Sequence, residues 1–188
     1  MGAVLLIDLD DFKGVNDTHG HFVGDQLLTA IANRLGLVTR TADTLCRFGG
    51  DEFLYLAEGL ESPKEAEVLA ERLIKVIAEP YNIAGFLIEQ RASIGIVIWD
   101  STCTSFSETI QNVDAALYEA KRNLRGHHVV FTPTMHQRAV SRFSLVQEPV
   151  SYTHLLQRST EEVHGQVVGP QEVAQPVEDD DDLRERVQ

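Results

Sequence analysis

Arg47-Phe48-Gly49-Gly50-Asp51-Glu52-Phe53 is the stretch that decides the local fold, because two adjacent glycines interrupt a run of strand-forming residues. The aromatic and apolar residues on both sides of the glycines are typical of strands. Adjacent glycines accept the positive φ angles that a tight hairpin demands. The sequence therefore predicts a hairpin over about residues 44–57, with Gly49-Gly50 as its two-residue turn.

Two carboxylates, Asp51 and Glu52, would leave that turn side by side. Neighbouring like charges repel each other unless a cation or a positive ligand group neutralises them. Two interpretations of this pair therefore stay open when it is considered alone. It is either part of a cation site or a solvated hairpin tip that happens to be acidic.

A second acidic cluster follows the first predicted strand. The apolar run Ala3-Val4-Leu5-Leu6-Ile7 is typical of a strand buried on both faces, and it ends in Asp8-Leu9-Asp10-Asp11. Magnesium takes oxygen ligands, typically one or two protein carboxylates together with water and substrate phosphates. The two acidic clusters together therefore favour a Mg²⁺ site, although Asp10 has the alternative role of capping the turn after the strand.

These clusters are part of a longer series of motifs that resembles the GGDEF domain, the catalytic domain of diguanylate cyclases. The series covers roughly residues 3–132 in the order and at the spacing of that family, which is far more specific than one short motif. The matching blocks are Ile7-Asp8-Leu9-Asp10-Asp11-Phe12-Lys13, Asn16-Asp17, Gly20-His21, Gly24-Asp25, Arg47 to Phe53, Ser93-Ile94-Gly95-Ile96 and Asp114-Ala115-Ala116-Leu117-Tyr118-Glu119-Ala120-Lys121.

The resemblance implies a reaction, a metal ion and a set of catalytic residues. Two GTP molecules would condense into cyclic di-GMP with release of pyrophosphate, assisted by Mg²⁺ or Mn²⁺. Asp8 and Asp51 match the metal ligands, with the Leu9 carbonyl as a backbone ligand. Glu52 matches a residue that helps either metal binding or deprotonation of the attacking hydroxyl. The catalytic residues are thus expected to be Asp8, Asp51 and Glu52.

The resemblance also assigns substrate contacts. Asn16 and Asp25 match the guanine-reading pair. A simpler interpretation of Asp25 is an acid in the first turn of a helix, and a simpler interpretation of Lys121 is a lysine in the last turn of a helix. The helix dipole favours both placements. The expected phosphate ligands are the side chains of Lys121, Arg125 and Lys13 and the backbone amides of Phe12 and Lys13.

A further match, Arg40-Thr41-Ala42-Asp43, has the form of the family's inhibitory site. Arginine offers a planar fork to phosphate or guanine, and aspartate accepts hydrogen bonds from guanine nitrogens. The resemblance thus implies that Arg40 and Asp43 bind cyclic di-GMP, whereas a surface ion pair is the plainer interpretation.

The periodicity predicts the order βαββαββαβ, an α/β (α+β) class of fold. The expectation is a ferredoxin-like, palm-type sandwich in which helices flank a mixed, mostly antiparallel sheet. The predicted elements are a strand at 3–8 followed by a loop, a helix at 21–36, the hairpin at 44–57, a helix at 63–79, a second hairpin at 82–98, a helix at 107–123 and a strand at 129–131.

The chain is expected to divide into a GGDEF domain over 1–132, a connector helix over 133–145 and a disordered acidic tail over 146–188. By comparison with the family, this domain is expected to lack the helix that usually precedes the first strand. The connector resembles the one that joins GGDEF to EAL domains in tandem proteins. The tail holds ten acids against three bases and so carries −7 of the chain's net charge of −13.

Composition excludes several classes of protein. The net charge of −13 argues against a nucleic-acid partner. A run of eighteen apolar residues is absent, and so is a basic region before the first apolar stretch, so neither a membrane span nor a signal peptide is predicted. Two cysteines are too few for a disulfide framework. We therefore expect a cytoplasmic protein.

Two functions remain open from the sequence. The first is a diguanylate cyclase, which needs a homodimer because each of two facing domains holds one GTP. The alternative is a catalytically weak or inactive GGDEF module that binds GTP or cyclic di-GMP and regulates a neighbouring domain.

Overall fold

The computed structural model describes residues 1–99, 105–123 and 125–135. Within those residues the chain forms seven strands and four helices. They are β1 (Gly2–Asp10), α1 (Phe12–His19), α2 (His21–Val38), β2 (Thr44–Gly49), β3 (Glu52–Ala57), α3 (Pro63–Ala78), β4 (Tyr81–Ile83), β5 (Phe86–Ile88), β6 (Arg91–Trp99), α4 (Phe106–Asn123) and β7 (His128–Val130).

Five of the strands form one sheet in the order β2-β3-β1-β6-β7, with β1 at its centre. Every pairing is antiparallel except β6 with β7, which is parallel. Leu5 of β1 lies opposite Tyr55 on one side and Ile96 on the other. The predicted α/β class, with a mostly antiparallel sheet flanked by helices, is confirmed.

The alternation of side chains along β1 sorts the core into two layers, because successive strand residues point to opposite faces. Leu5 and Ile7 belong to the larger layer, which also contains the buried residues of α2 and α3. Val4 and Leu6 belong to a smaller layer with Val113 and Leu117 of α4. Asp8 continues the alternation of Val4 and Leu6, so it faces the side of the sheet that α4 covers.

Gly95 sets the distance between α4 and the sheet. A side-chain carbon at this position would overlap the backbone of Val113 and Leu117. The helix can therefore lie directly on β6, with its C-terminal turn over the end of β1.

Two predictions about elements were wrong. The loop predicted after the first strand is largely the helix α1, in which only Phe12 is buried. A helix with so narrow an apolar stripe gives little periodic signal, and it forms because it packs against α2. The chain enters α1 through Asp11, which adopts a left-handed conformation with φ 56°.

The prediction of a single second hairpin over 82–98 is also wrong, because this segment forms a short hairpin and a separate strand of the main sheet. β4 and β5 form a small separate hairpin that turns at Ala84 and Gly85, with φ of 50° and 85°. β6 instead pairs with β1 over nine residue pairs. Gln90 lies in the segment between β5 and β6. Its buried side chain anchors that segment to β1, because Nε2 donates to the carbonyls of Asp10 (2.7 Å) and Arg91 (2.8 Å).

Two further expectations fall mainly outside the described residues. Only 133–135 of the predicted connector helix are described, and the tail 146–188 lies wholly outside. Over the described ranges, no helix combines the length and the apolarity that a bilayer crossing requires.

Candidate active site

The predicted hairpin is present, but its turn is shifted by one residue. Gly49 pairs with Glu52, so the two turn residues are Gly50, with φ 51°, and Asp51. The register shifts between Arg47 and Gly49, which keeps Gly49 in the strand. The Arg47 side chain holds the turn by donating twice to the Gly50 carbonyl, from Nε at 2.9 Å and Nη2 at 2.7 Å.

The sheet brings the two acidic clusters together. Asp8 of β1 lies directly opposite Glu52 of β3, so both side chains share one face. The Leu9 amide donates to the Asp51 carbonyl at 3.2 Å. In an extended strand the N–H and C=O of one residue point the same way, so the Leu9 carbonyl is also directed toward the turn. Asp8, Leu9, Asp51 and Glu52 therefore meet where β1 ends.

Burial makes this cluster electrostatically unusual. The pKa of the Asp8 carboxyl is raised mainly by burial, and also by the charges of Asp51 and Asp10, while Lys121 opposes the rise. Burial, followed by the charge of Asp8, raises the pKa of Glu52 to about 6. The negative charges are thus only partly compensated by the protein.

Lys121 provides that compensation. The Lys121 side chain extends from the last turn of α4 to the end of β1, where its Nζ lies 2.6 Å from Asp8 Oδ2. The lysine expected to bind phosphate therefore contacts the carboxylate expected to bind metal. Arg125 is exposed beyond the end of α4, and Lys13 is exposed on α1.

The donor set fits a hard divalent cation. Two aspartates and a backbone carbonyl offer oxygen only, which suits Mg²⁺ or Mn²⁺ bound together with water and phosphate oxygens. Within the part of the chain that is described, no group of three or more His, Cys, Asp or Glu side chains is arranged to hold a metal ion.

Asn16 and Asp25 lie on two packed helices. Asn16 is half-buried on α1, and Asp25 is exposed on α2 just after its first turn, so the alternative of a first-turn acid is wrong. Gly24 allows the close approach, because a side-chain carbon there would overlap the Asn16 side-chain oxygen. Phe12, whose backbone amide is a predicted phosphate contact, is buried beneath the same junction.

Arg40 and Asp43 form a turn before β2, in which the Asp43 amide donates to the Arg40 carbonyl at 3.0 Å. The Asp43 carboxylate accepts hydrogen bonds from the Tyr55 hydroxyl at 2.7 Å and from the Glu58 amide at 3.1 Å. The Arg40 side chain is exposed. A carboxylate has about four acceptor sites, so Asp43 keeps acceptor capacity for a ligand.

The sequence analysis missed Asp114 as a member of the site. It lies on α4 two helical turns before Lys121, on the same side of the helix. Burial raises the pKa of Asp114 while Lys121 lowers it, and its charge raises the pKa of Glu52. The spacing of seven residues from Lys121 was the available signal.

Comparison with known proteins identifies relatives. A sequence profile of the family described as "Diguanylate cyclase, GGDEF domain" matches residues 1–127. The bifunctional diguanylate cyclase/cyclic di-GMP phosphodiesterase MucR of Pseudomonas aeruginosa is 41% identical over 146 residues, which are 78% of this chain and 21% of MucR. The cyclic di-GMP phosphodiesterase PdeR of Escherichia coli is 37% identical over 136 residues, 72% of this chain and 20% of PdeR.

The chain therefore spans about a fifth of the length of these two relatives. Among solved structures, the isolated GGDEF domain of TpbB (YfiN) from Pseudomonas aeruginosa is similar, with a TM-score of 0.70 and 32% sequence identity. The similarity covers 74% of this chain and 81% of that one.

Proposed function

The chain belongs to the GGDEF family, and from that premise we propose that it is a diguanylate cyclase domain that converts two GTP into cyclic di-GMP and pyrophosphate. The observation that carries the proposal is the pairing of Asp8 with Glu52 on adjacent strands beside Asp51. This arrangement concentrates carboxylates in a buried place where an apolar sheet gains nothing from them.

In this proposal Asp8, Asp51 and the Leu9 carbonyl hold Mg²⁺ or Mn²⁺. When bound by these residues, such an ion would supply charge neutralisation for the phosphates and would favour ionisation of the ribose 3′-hydroxyl. Glu52 lies beside Asp8, where it either completes the metal site or accepts the hydroxyl proton. Its raised pKa of about 6 suits a group that exchanges a proton near neutral pH.

The substrate contacts follow the same assignment. Asn16 and Asp25 read the guanine edge from the α1–α2 junction. The triphosphate is bound by cationic side chains and by the start of α1. These ligands are Lys121, Arg125, Lys13 and the Phe12 and Lys13 amides.

The reaction needs two copies of the domain facing each other. The 3′-oxygen of each GTP forms a bond to the α-phosphorus of the other, and the bond to pyrophosphate breaks. Two such displacements close the cyclic product. We therefore propose a homodimer as the active species and GTP and cyclic di-GMP as its ligands.

A second candidate is a regulatory GGDEF module that binds nucleotide without turnover. The similarity to PdeR, a protein named as a phosphodiesterase, favours it. The exposed Arg40 and the Asp43 carboxylate, which belong to one turn, are the proposed site for cyclic di-GMP in either case.

One experiment separates the two candidates. The purified chain is incubated with GTP and Mg²⁺, and cyclic di-GMP is measured by chromatography, with Asp51→Asn as the inactive control. Product from the parent alone supports the cyclase. Absence of product, with calorimetric binding of cyclic di-GMP that Arg40→Ala weakens, would transfer the proposal to the module.

A further inference from the structure

Ser93 is a fully buried hydroxyl that lies beside the site without belonging to its proposed ligands. It is the residue of β6 opposite Asp8. Its Oγ lies 2.9 Å and 3.1 Å from the two carboxylate oxygens of Asp10, to which it donates. The end of β1 is thereby tied to β6 through a charge-assisted hydrogen bond, which is stronger than a neutral one.

The same hydroxyl accepts a hydrogen bond from the loop that follows α4. The Gly126 amide donates to Ser93 Oγ at 3.3 Å, and the Ile94 amide donates to the His127 carbonyl at 3.0 Å. Gly126 has φ 83°, a conformation that side chains other than glycine rarely adopt. Arg125 immediately precedes this anchored glycine.

We propose that Ser93 is a positioning residue of the triphosphate site, which fixes the Arg125 loop relative to the end of β1. The inference rests on the proposed function, because it concerns the site where phosphate binds. Its hydroxyl proton is committed to Asp10, which leaves the oxygen lone pairs for the Gly126 amide. One buried group thus connects the strand that carries Asp8 with the loop that carries Arg125.

The two hydrogen bonds support each other. A hydroxyl that donates to a carboxylate becomes a better acceptor, because hydrogen bonds in series polarise one another. Ser93→Ala removes both bonds at once and leaves the Gly126 amide without this acceptor. Ser93→Cys keeps nearly the same volume with a weaker donor and acceptor, whereas Ser93→Thr keeps the hydroxyl.

The first measurement is the exchange of the Gly126 amide proton, followed by NMR without nucleotide. We expect faster exchange in Ser93→Ala than in the parent, an intermediate rate in Ser93→Cys, and the parent's rate in Ser93→Thr. Ser105→Ala is the control, because Ser105 caps the opposite end of α4 through the Glu108 amide. Unchanged Gly126 exchange in Ser93→Ala and Ser93→Cys would refute the link.

The second measurement is the affinity for α,β-methylene-GTP with Mg²⁺, determined by calorimetry. The net loss of one hydrogen bond predicts that Ser93→Ala binds the GTP analogue about three- to tenfold more weakly than the parent. Ser93→Thr should bind the analogue with the parent's affinity. In an Arg125→Ala background, Ser93→Ala should cause no further loss, because the serine acts through the arginine. Additive losses would show that Ser93 acts on the fold and not on Arg125.

The outcomes separate this inference from the proposed function. A parent chain that binds no GTP analogue overturns the proposed function and the phosphate role of the loop together. The exchange rate of Gly126 still decides in that case whether Ser93 holds the loop. Should Ser93→Ala fail to fold, Ser93→Cys provides both measurements in graded form.

Discussion

Lys121 Nζ lies 2.6 Å from Asp8 Oδ2, so the helix α4 supplies the counter-charge of a buried carboxylate on the central strand. The same carboxylate is a proposed metal ligand. If Asp8 binds a divalent cation as proposed, Lys121 and that cation would compete for it, and cation binding would release the lysine to contact phosphate. The ion pair thus links the proposed metal site and the proposed phosphate site through one side chain.

Replacing Lys121 by Met should make the stability of the protein depend more strongly on a divalent cation at Asp8. Without the ammonium, Asp8 is a buried charge lacking its main partner, and breaking such a pair costs about 3 kcal/mol when it is fully buried. We expect less than that here, since Lys121 is partly exposed. The Met variant should melt at a lower temperature in EDTA, and Mn²⁺ should raise its melting temperature more than the parent's.

Lys64→Met is the matched control, because Lys64 also pairs with a carboxylate, that of Glu67, but on an exposed surface. Differential scanning fluorimetry with and without Mn²⁺ measures all three proteins. An equal Mn²⁺ response of the Lys121→Met variant and the parent would contradict the competition.

Glu52→Gln should change how stability depends on pH. The folded protein raises the pKa of Glu52 from 4.5 to about 6, first through burial and then through Asp8. The folded state therefore holds this proton more tightly, and stability falls as pH rises from 4.5 to 6. The Gln variant lacks this loss, so it should be more stable than the parent at pH 7 by about 1 kcal/mol, after allowance for solvent screening.

Urea denaturation in EDTA at pH 4.5 and pH 7 tests this difference. The variants should differ little at pH 4.5, where Glu52 is protonated in the folded protein. Glu89→Gln, at an exposed position, serves as control. A Glu52→Gln variant that loses as much stability as the parent between the two pH values would refute the assignment.

Gly24→Ala should disturb the guanine site through packing. The added carbon would overlap the Asn16 side-chain oxygen and crowd the Phe12 ring, so the Asn16 side chain must shift. Overpacking of this kind costs about 1–3 kcal/mol, and the affinity for GTP should fall because Asn16 moves. Gly36→Ala on the same helix has open space around it, and there the substitution should stabilise the protein by up to about 1 kcal/mol.

Thermal melting and GTP titration measure both variants. Opposite signs of the two stability changes are the expected result. A Gly24→Ala variant with the parent's stability and GTP affinity would show that the α1–α2 contact does not position Asn16.

Tyr55→Phe should destabilise the protein, because it removes the hydrogen bond from the Tyr55 hydroxyl to Asp43. Burial, followed by the hydrogen bond to Asp43, raises the pKa of Tyr55 from 10.0 to about 12. Loss of a hydrogen bond to a charged group should cost about 2 kcal/mol at pH 8. The folded parent keeps the phenol proton between pH 10 and 12 where the unfolded chain releases it, so the parent loses stability over that window and the Phe variant does not.

The stability gap between parent and Phe variant should therefore narrow by about 1 kcal/mol from pH 8 to pH 11. Urea denaturation at the two pH values measures it, with the exposed Tyr118→Phe as control. A constant gap would show that the phenol titrates alike in both states.

The residue pattern by itself determined most of the secondary structure. Continuous apolar runs, helical periodicity and the glycine pair are local features, and they placed β1, the hairpin β2–β3 and the helices α2, α3 and α4 to within a few residues. The series of motifs also identified the family, because their order and spacing are properties of the chain alone.

Tertiary structure alone decided the helix α1, the one-residue shift of the turn and the separate hairpin β4–β5. It also decided the partners of the charged and polar groups: Lys121 for Asp8, Tyr55 for Asp43 and Gly126 for Ser93. Local propensity acts over a few residues, whereas Asp8 and Lys121 meet only because strand register and the packing of α4 on Gly95 bring them together. Contacts so distant along the chain depend on the whole fold.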